Sequence, residues 1–382
     1  MKRRSTVPTA SQRYLPLVST DVMNRRESCV IGILPGEGSG PEIVAAAQTV
    51  LDAVAERSRV AFELRVGGPI GLEAERRFGA SLTPEVSAFC AGVFADGGAI
   101  LAGPGGGRFV YDLRRHFNLY CKLIPVVPAA ELRGIGNLTP ESVAGVDLLI
   151  VREASGGEYY GDWSESANGS SNKRVEHRYA YEGSEVRRLV DAAARIAAVR
   201  AGRLAVAVKR GGLPPMAKLW ISCTERAAAE ADVECTILDF DHAAYHMIDA
   251  APELDVIVAS NLFADVLTDL SALFLGSRGL SFGACFSRDG AAVYQTNHGA
   301  AFNLAGRDRA NPCAQILSLA MLLRESFGLE AEAMLIEEAL REAWAAGHRT
   351  DDILGPSCSG IGTREMGKRV AESVLALELR VA

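Results

Sequence analysis

Near-continuous apolar runs alternate along this chain with stretches in which apolar residues return every three or four positions. The runs CVIGIL from Cys29, AFELRVG, GAILAG, DLLIVRE, RLAVAV, CTILDF and DVIVAS predict short strands, several of them buried on both faces. After the first run come a glycine turn and a predicted helix whose apolar positions are Ile43, Val44, Ala47, Val50, Leu51 and Val54, with Pro41 near the first turn, where proline is tolerated. Strands interleaved with helices of this kind predict an α/β architecture. The last third adds two helical stretches, AQILSLAMLLRESFG and EAEAMLIEEALREAWAAG, with Gly328 and Gly347 as C-caps. One polar, glycine-rich and aromatic stretch, GEYYGDWSESANGSSNKRVEHRYAYEGSEV, interrupts the alternation and predicts an arm or lid-like hairpin. Residues 1–28 carry basic and hydroxyl residues without an apolar core, which argues against a secretory signal; a disordered tail is expected, with a transit peptide as the alternative.

Composition narrows the class. The chain has 382 residues, of which 48% are hydrophobic and 23% charged, enough for one large or two moderate domains and unlike a disordered or fibrous sequence. Its longest apolar runs fall short of the roughly 20 residues a membrane span needs. With 40 basic against 47 acidic residues, the net charge of -7 offers no field for nucleic acid, so the expected partner is a small molecule. Eight cysteines are scattered with no CxxC spacing, which predicts neither a zinc site nor a disulfide framework and fits a reducing cytoplasm.

Four constellations could carry chemistry, and each has a plain structural alternative. Gly36-Glu37-Gly38-Ser39-Gly40-Pro41 lies between a strand and a helix, where backbone N–H groups can meet an anion; it lacks GxGxxG spacing, and a tight structural turn is the favoured account of it. Asp265 and Asp269 in NLFADVLTDLSALF are four apart, so on a helix both carboxylates share a face, and Asp241 follows CTILDF. Three carboxylates on apolar elements suit Mg²⁺ or Mn²⁺; the alternative is solvated helix acids and an N-cap. Arg114 and Arg152 could grip a carboxylate and Tyr159 deliver a proton, or they are surface arginines and a packed tyrosine. Lastly, His298-Gly299 opens a loop containing Asn303 and Asn311 that could wrap a nucleotide, or is a turn-rich connection.

Taken in order, LPGEGSGPE, LRRHFNLY, VREASGGEYYG, LDFDHAAYHM, NLFADVLTDLSA, NHGAAFNLAG, ANPCAQILSLAMLLR and GHRTDDI resemble the isocitrate and isopropylmalate dehydrogenase family, the metal-dependent β-decarboxylating dehydrogenases, from about Cys29 to the C-terminus. The resemblance implies that family's two-domain α/β fold, distinct from a classical Rossmann fold. It implies a large domain of residues 29–122 plus 279–382, and a central domain of 123–278 holding the metal ligands, the arm and the dimer contact. It further implies a homodimer with shared active sites, a divalent metal (Mg²⁺ or Mn²⁺), and hydride transfer from a malate-like 2-hydroxy acid to NAD or NADP, followed by β-decarboxylation. Carried over by position, Asp241, Asp265 and Asp269 are metal ligands, Arg114 and Arg152 bind substrate, Tyr159 protonates the enol, and His298, Gly299, Asn303 and Asn311 meet the cofactor.

The pattern also breaks. Ile124 replaces the family's third carboxylate-binding arginine, and Arg108 is the candidate to fill in. Arg210 falls on the catalytic lysine's position; arginine holds its proton, so base chemistry passes to the adjacent Lys209 only if the local backbone shifts, which Gly211 and Gly212 would ease. Asn303 stands where NAD-dependent members carry an acid, with Arg307 and Arg309 nearby, leaving NAD, slightly favoured, against NADP. Gln295 and Asn297 replace the usual residues before the His-Gly turn. Three readings result: a divergent dehydrogenase, a metal-dependent decarboxylase or lyase without hydride transfer, and a non-catalytic regulatory paralogue.

Overall fold

The computed structural model describes residues 13–20, 29–167 and 173–377. Their centre is one ten-stranded sheet. The strands are β1 (Cys29–Leu34), β2 (Phe62–Val66), β3 (Ala99–Ala102), β4 (Cys121–Val126), β5 (Leu148–Glu153), then, beyond the two arm strands β6 (Asp162–Ala167) and β7 (Lys173–Arg178), β8 (Arg203–Val208), β9 (Glu234–Asp239), β10 (Val256–Ala259), β11 (Phe282–Phe286) and β12 (Ala292–Thr296). Their spatial order is β2-β1-β3-β12-β11-β4-β5-β10-β8-β9. Pairings are parallel on both flanks, whose inner strands β1, β8 and β10 are apolar and buried while the edge strands β2 and β9 are partly exposed. They become antiparallel in the middle, at β12–β11, β11–β4 and β4–β5.

The boundary expected between residues 122 and 123 thus falls inside β4, the strand that joins the two halves. Lys122 of β4 is in register with Arg152 of β5 on one side and with Cys285 of β11 on the other. Strands β6 and β7 pair only with each other, forming the anticipated hairpin arm; residues 168–172 at its tip lie outside the described residues.

The N-terminal expectation needs correction. Residues 13–20 form no free tail: helix α1 (Leu15–Val18) is docked, with Leu15 and Val18 buried in the main core. The buried Glu325 carboxylate accepts the backbone N–H groups of Tyr14 and Leu15, each at 2.7 Å, and so caps this single turn. Tyr120 Oη and Arg195 Nε donate to the carbonyls of Val18 and Leu17 at 2.8 and 2.9 Å. Burial of LPLV outweighs the weak helix propensity of so short a segment. Residues 1–12 and 21–28, the rest of the expected tail, lie outside the described residues.

Among the other helices, α2 (Gly40–Ser58), α3 (Gly71–Phe78), α4 (Pro84–Ala95) and α5 (Phe109–His116) flank the β1 side; α5 carries Arg114. After α6 (Pro140–Val143) come α7 (Gly183–Val199), α8 (Pro214–Ala231), α9 (Phe240–Asp249) and α10 (Asn261–Leu275) around β8 to β10. Gly328 ends the α11 (Cys313–Leu322) region after a wide turn and has positive φ, as a C-cap glycine does. Among the described residues no helix is long and apolar enough to cross a membrane, and all eight cysteines are free.

Candidate active site

Helix α10 starts at the end of β10 and points its first turns at the end of β5, which brings Asn261 and Asp265 to Arg152. The Arg152 guanidinium donates to Asn261 Oδ1 from Nε (3.0 Å) and Nη2 (2.9 Å), and its Nη1 pairs with the Asp265 carboxylate. The other Asp265 oxygen accepts the Tyr159 hydroxyl at 2.7 Å. Tyr159 also lies face-on to Arg152, with the guanidinium carbon 5.6 Å from its ring centre. Burial and the bond to Asp265 push the Tyr159 hydroxyl above the ordinary phenol value, so at neutral pH it holds a proton to give. Burial opposes ionisation of Asp265, but the Arg152 charge, the Tyr159 bond and the charges of Lys122 and Arg114 outweigh it and hold the carboxyl below its usual range.

Arg114 is buried, its guanidinium beside the Cys285 thiol. Lys122, which the sequence reading overlooked, completes the cluster: it is buried in the same layer, and desolvation with the nearby Arg114 and Arg152 charges pushes its ammonium down to about 7. Its signal was a lone lysine inside the apolar strand CKLIPV. Arg108 does not fill the gap left at Ile124. It is half-exposed over the rings of Tyr111 (5.3 Å) and Trp163 (5.2 Å), paired with Asp112 at 3.5 Å, and donates to the Tyr159 carbonyl at 3.4 Å.

The three carboxylates assigned to metal do not converge within the chain. Asp265 and Asp269 share a face of α10, and Asp269 pairs with Arg278 at 3.0 Å. Asp241 lies in the first turn of α9 and pairs with Lys209. Among the described residues of one chain no group of three His, Cys, Asp or Glu is placed to hold a metal, and Asp241 stands apart from Asp265 and Asp269. Two carboxylates on one face remain a hard-oxygen donor set suited to a divalent cation that also takes substrate oxygens.

The two basic residues after β8 separate cleanly. Lys209 reaches Asp241, while Arg210 folds back onto Asp239, its Nη2 3.0 Å from the carboxylate and its backbone N–H 2.9 Å from it. The chain turns immediately, the Leu213 N–H donating to the Lys209 carbonyl at 2.8 Å. Gly212 leaves room for this: a Cβ there would come within 3.1 Å of Lys209 Cγ. Lys209 is thus the residue directed at Asp241, while Arg210 is held by Asp239.

A second cleft, of about 550 Å³, opens between the His298 loop and the start of α2, and its walls include Ser39, His298, Gly299, Asn311 and Asp352. The loop is tied to the glycine turn: Ser39 N–H donates to Ala300 O at 2.7 Å, and a Cβ on Gly38, whose φ is +62, would meet that same oxygen at 2.1 Å. The turn's acid, Glu37, accepts the N–H groups of Leu72 (3.1 Å) and Glu73 (3.0 Å), so it caps α3 and is no ligand for an anion. His298 is held below its ordinary imidazole value by burial; Nδ1 bonds the Gly299 carbonyl at 2.9 Å, and Nε2 has no partner. Asn311 bonds Asp352 at 3.0 Å, an acid from GHRTDDI. Asn303 lies exposed in the same loop, outside the cleft wall. The His298 Nε2 nitrogen is itself buried, although the ring lines the cleft wall.

The family model for isocitrate/isopropylmalate dehydrogenase matches residues 30–370. The chain is 37% identical over 338 residues to 3-isopropylmalate dehydrogenase of Bacillus licheniformis, covering 85% of this chain and 90% of that one. It is 35% identical to 3-isopropylmalate dehydrogenase of Cupriavidus pinatubonensis, covering 89% and 98%. Among solved structures, isocitrate dehydrogenase from Methylococcus capsulatus superposes with a TM-score of 0.80 at 28% identity, covering 91% of this chain and 99% of that one. The chain belongs to the isocitrate/isopropylmalate dehydrogenase family. It is a nicotinamide-dependent dehydrogenase of the β-decarboxylating type, from a family that uses a divalent metal and NAD.

Proposed function

We propose that this enzyme oxidises a malate-like 2-hydroxy acid with NAD and a divalent metal, Mg²⁺ or Mn²⁺, releasing the β-carboxylate as CO₂, as a homodimer whose subunits complete each other's sites. The observation that carries the reading is the Tyr159–Asp265–Arg152 cluster, in which a protonated phenol, an ionised carboxylate and a buried guanidinium meet beside the unpaired cations Arg114 and Lys122.

When bound, the metal supplies Lewis-acid polarisation of the hydroxyl and the ketone formed from it, and the nicotinamide supplies the hydride acceptor. Asp265 and Asp269 would hold the metal, with Asp241 of a second copy as third ligand. Arg114 and Arg152 orient the substrate carboxylates. Lys209 of the second copy, as the neutral amine, would take the hydroxyl proton, and loss of the C2 hydride to the nicotinamide leaves a ketone. Once the β-carboxylate departs, Tyr159 delivers a proton to the carbon it leaves. His298, Gly299 and Asn311 would contact the adenosine half of the cofactor, with Asn303 near its ribose. NAD is favoured because Arg309 is occupied by Asp351 at 2.6 Å and offers no free cation for a 2′-phosphate.

The dimer is supported by an apolar stripe on α10. Leu262, Val266 and Leu273 are exposed on the face that also carries Asp269, and Phe240 of α9 stacks on Phe263 of α10 at 4.4 Å, so the Asp241 region continues the same surface. The reading without hydride transfer rests on the loss of the usual base and of nicotinamide contacts; the Lys209–Asp241 pair supports the dehydrogenase over it.

The test is steady-state reduction of NAD⁺ and NADP⁺ with Mg²⁺ or Mn²⁺ present, using 3-isopropylmalate, isocitrate and D-malate. Formation of NADH with release of one CO₂ per turnover is expected from at least one acid. Metal-dependent CO₂ release from the matching 2-keto acid, with no reduction of either nucleotide, would instead select a decarboxylase.

A further inference from the structure

Three cations, Arg114, Lys122 and Arg152, are buried together at the joint between β4 and β5. Among the described residues the carboxylate that acts on Arg114 and Lys122 is Asp265, and it is already paired with Arg152. Among the described residues neither Arg114 nor Lys122 forms an ion pair with any carboxylate. Buried charges without counter-ions are expensive in a folded chain and are retained where a ligand supplies the missing charge.

The strand register says where that ligand lies. Alternation on β4 puts Lys122 and Ile124 on one face, with Ile124 one step deeper opposite Ile150 and Lys122 at the mouth opposite Arg152. Ile124 is fully buried and apolar, so no charge comes from the position at which the sequence pattern leads one to expect an arginine. Lys122, two residues nearer the strand end, brings its ammonium into the layer of Arg152 and Arg114.

We propose that Lys122 binds a carboxylate of the substrate together with Arg114, and that it is the third cation of this site in place of the guanidinium absent at Ile124. This inference rests on the reading of the site as one for a 2-hydroxy dicarboxylic acid and names a residue that selects for that dianion. With Arg114, Arg152 and Lys122 gathered against one internal carboxylate, this corner of the site favours a dicarboxylate over a monocarboxylic hydroxy acid. A lysine is also a point charge without the planar fork of arginine, so it accepts a carboxylate from a wider range of angles.

The test compares wild type with Lys122→Met, Lys122→Arg and the double variant Lys122→Asn/Ile124→Arg. KM and kcat are measured with 3-isopropylmalate, isocitrate and D-malate, NAD⁺ binding is followed by calorimetry, and Tm is recorded without substrate. Loss of a charge-assisted carboxylate bond should raise the KM of Lys122→Met about 10- to 100-fold, with NAD⁺ affinity unchanged. Its substrate-free Tm should equal or exceed that of wild type, because the methionine removes an unpaired buried charge. Lys122→Arg and the double variant, each restoring a cation, should recover most of the affinity. The inference is overturned if Lys122→Met keeps the wild-type KM, or if it loses Tm and affinity together and neither cation-bearing variant recovers them. A wild-type enzyme that turns over none of the three acids would instead overturn the dicarboxylate reading itself, and this inference with it.

Discussion

One carboxylate, Asp265, holds both the phenol of Tyr159 and the guanidinium of Arg152. That arrangement fixes the direction of proton movement, because a phenol bonded to a carboxylate and lifted above its ordinary pKa gives up its proton only to a stronger base such as an enolate carbon. Tyr159→Phe should therefore lower kcat by about 100-fold or more while leaving KM within a few-fold, since the phenol is needed after oxidation. Partitioning separates the steps: NADH formation and CO₂ release in a single turnover should both stay near the wild-type rate, and the free 2-keto acid product should appear late. Equal slowing of both would assign Tyr159 to substrate positioning. The acids of α10 were legible because an i, i+4 spacing puts them on one face whatever surrounds the helix. Lys209 was not resolved from Arg210, because strand alternation stops at Val208 and the direction of the next side chain is set by the turn to Leu213 and the space at Gly212. Lys122 escaped notice because a lysine inside an apolar strand reads as an interruption until its cross-strand neighbours are known.

Among the elements, the long apolar strands were plain in the sequence because a strand buried on both faces tolerates few polar residues, and the helices between them followed from their periodicity. Helix α1 was not, since four residues of LPLV carry no period, and what orders them is a distant acid in the wide turn after α11. Burial pushes Glu325 up to about 7, although two backbone N–H bonds and the Arg324 and Arg13 charges pull the other way. Its folded pKa stands above the usual carboxyl value of 4.5, so the fold favours the protonated acid. That contribution is full below about pH 4.5 and is lost as the pH rises through 7, amounting to about 3 kcal/mol across the window. Glu325→Gln fixes the neutral form. Thermal unfolding of both proteins from pH 4 to 8 should show wild type losing ground to Glu325→Gln as pH rises to 7, with faster hydrogen exchange at the Leu15 amide. Parallel Tm curves would mean that the acid is ionised at no net expense and that α1 docks independently of pH.

At the scale of the whole molecule, the proposed homodimer would build each site from two halves supplied by different chains. One half holds Asp265, Asp269, Tyr159 and Arg152; the other holds Lys209 and Asp241, exposed at the ends of β8 and β9. A dimer about a two-fold axis brings each half to its complement twice, because the same patch meets itself on both partners. This arrangement makes a quantitative demand on mixtures. Asp241→Asn and Tyr159→Phe homodimers should each be nearly inactive, since every site in either carries the lesion. In a hybrid, one site takes Tyr159 from the Asp241→Asn chain and Asp241 from the Tyr159→Phe chain, and so is wholly wild type, while the other carries both changes. Denaturing and refolding the two variants together in equal amounts should produce hybrids as half of the dimers and restore about a quarter of wild-type NADH formation. Refolding each alone should restore none. Recovery at the level of the separate variants, in a mixture shown by native mass spectrometry to contain hybrids, would mean that Asp241 serves its own chain and that the site closes by movement within one subunit.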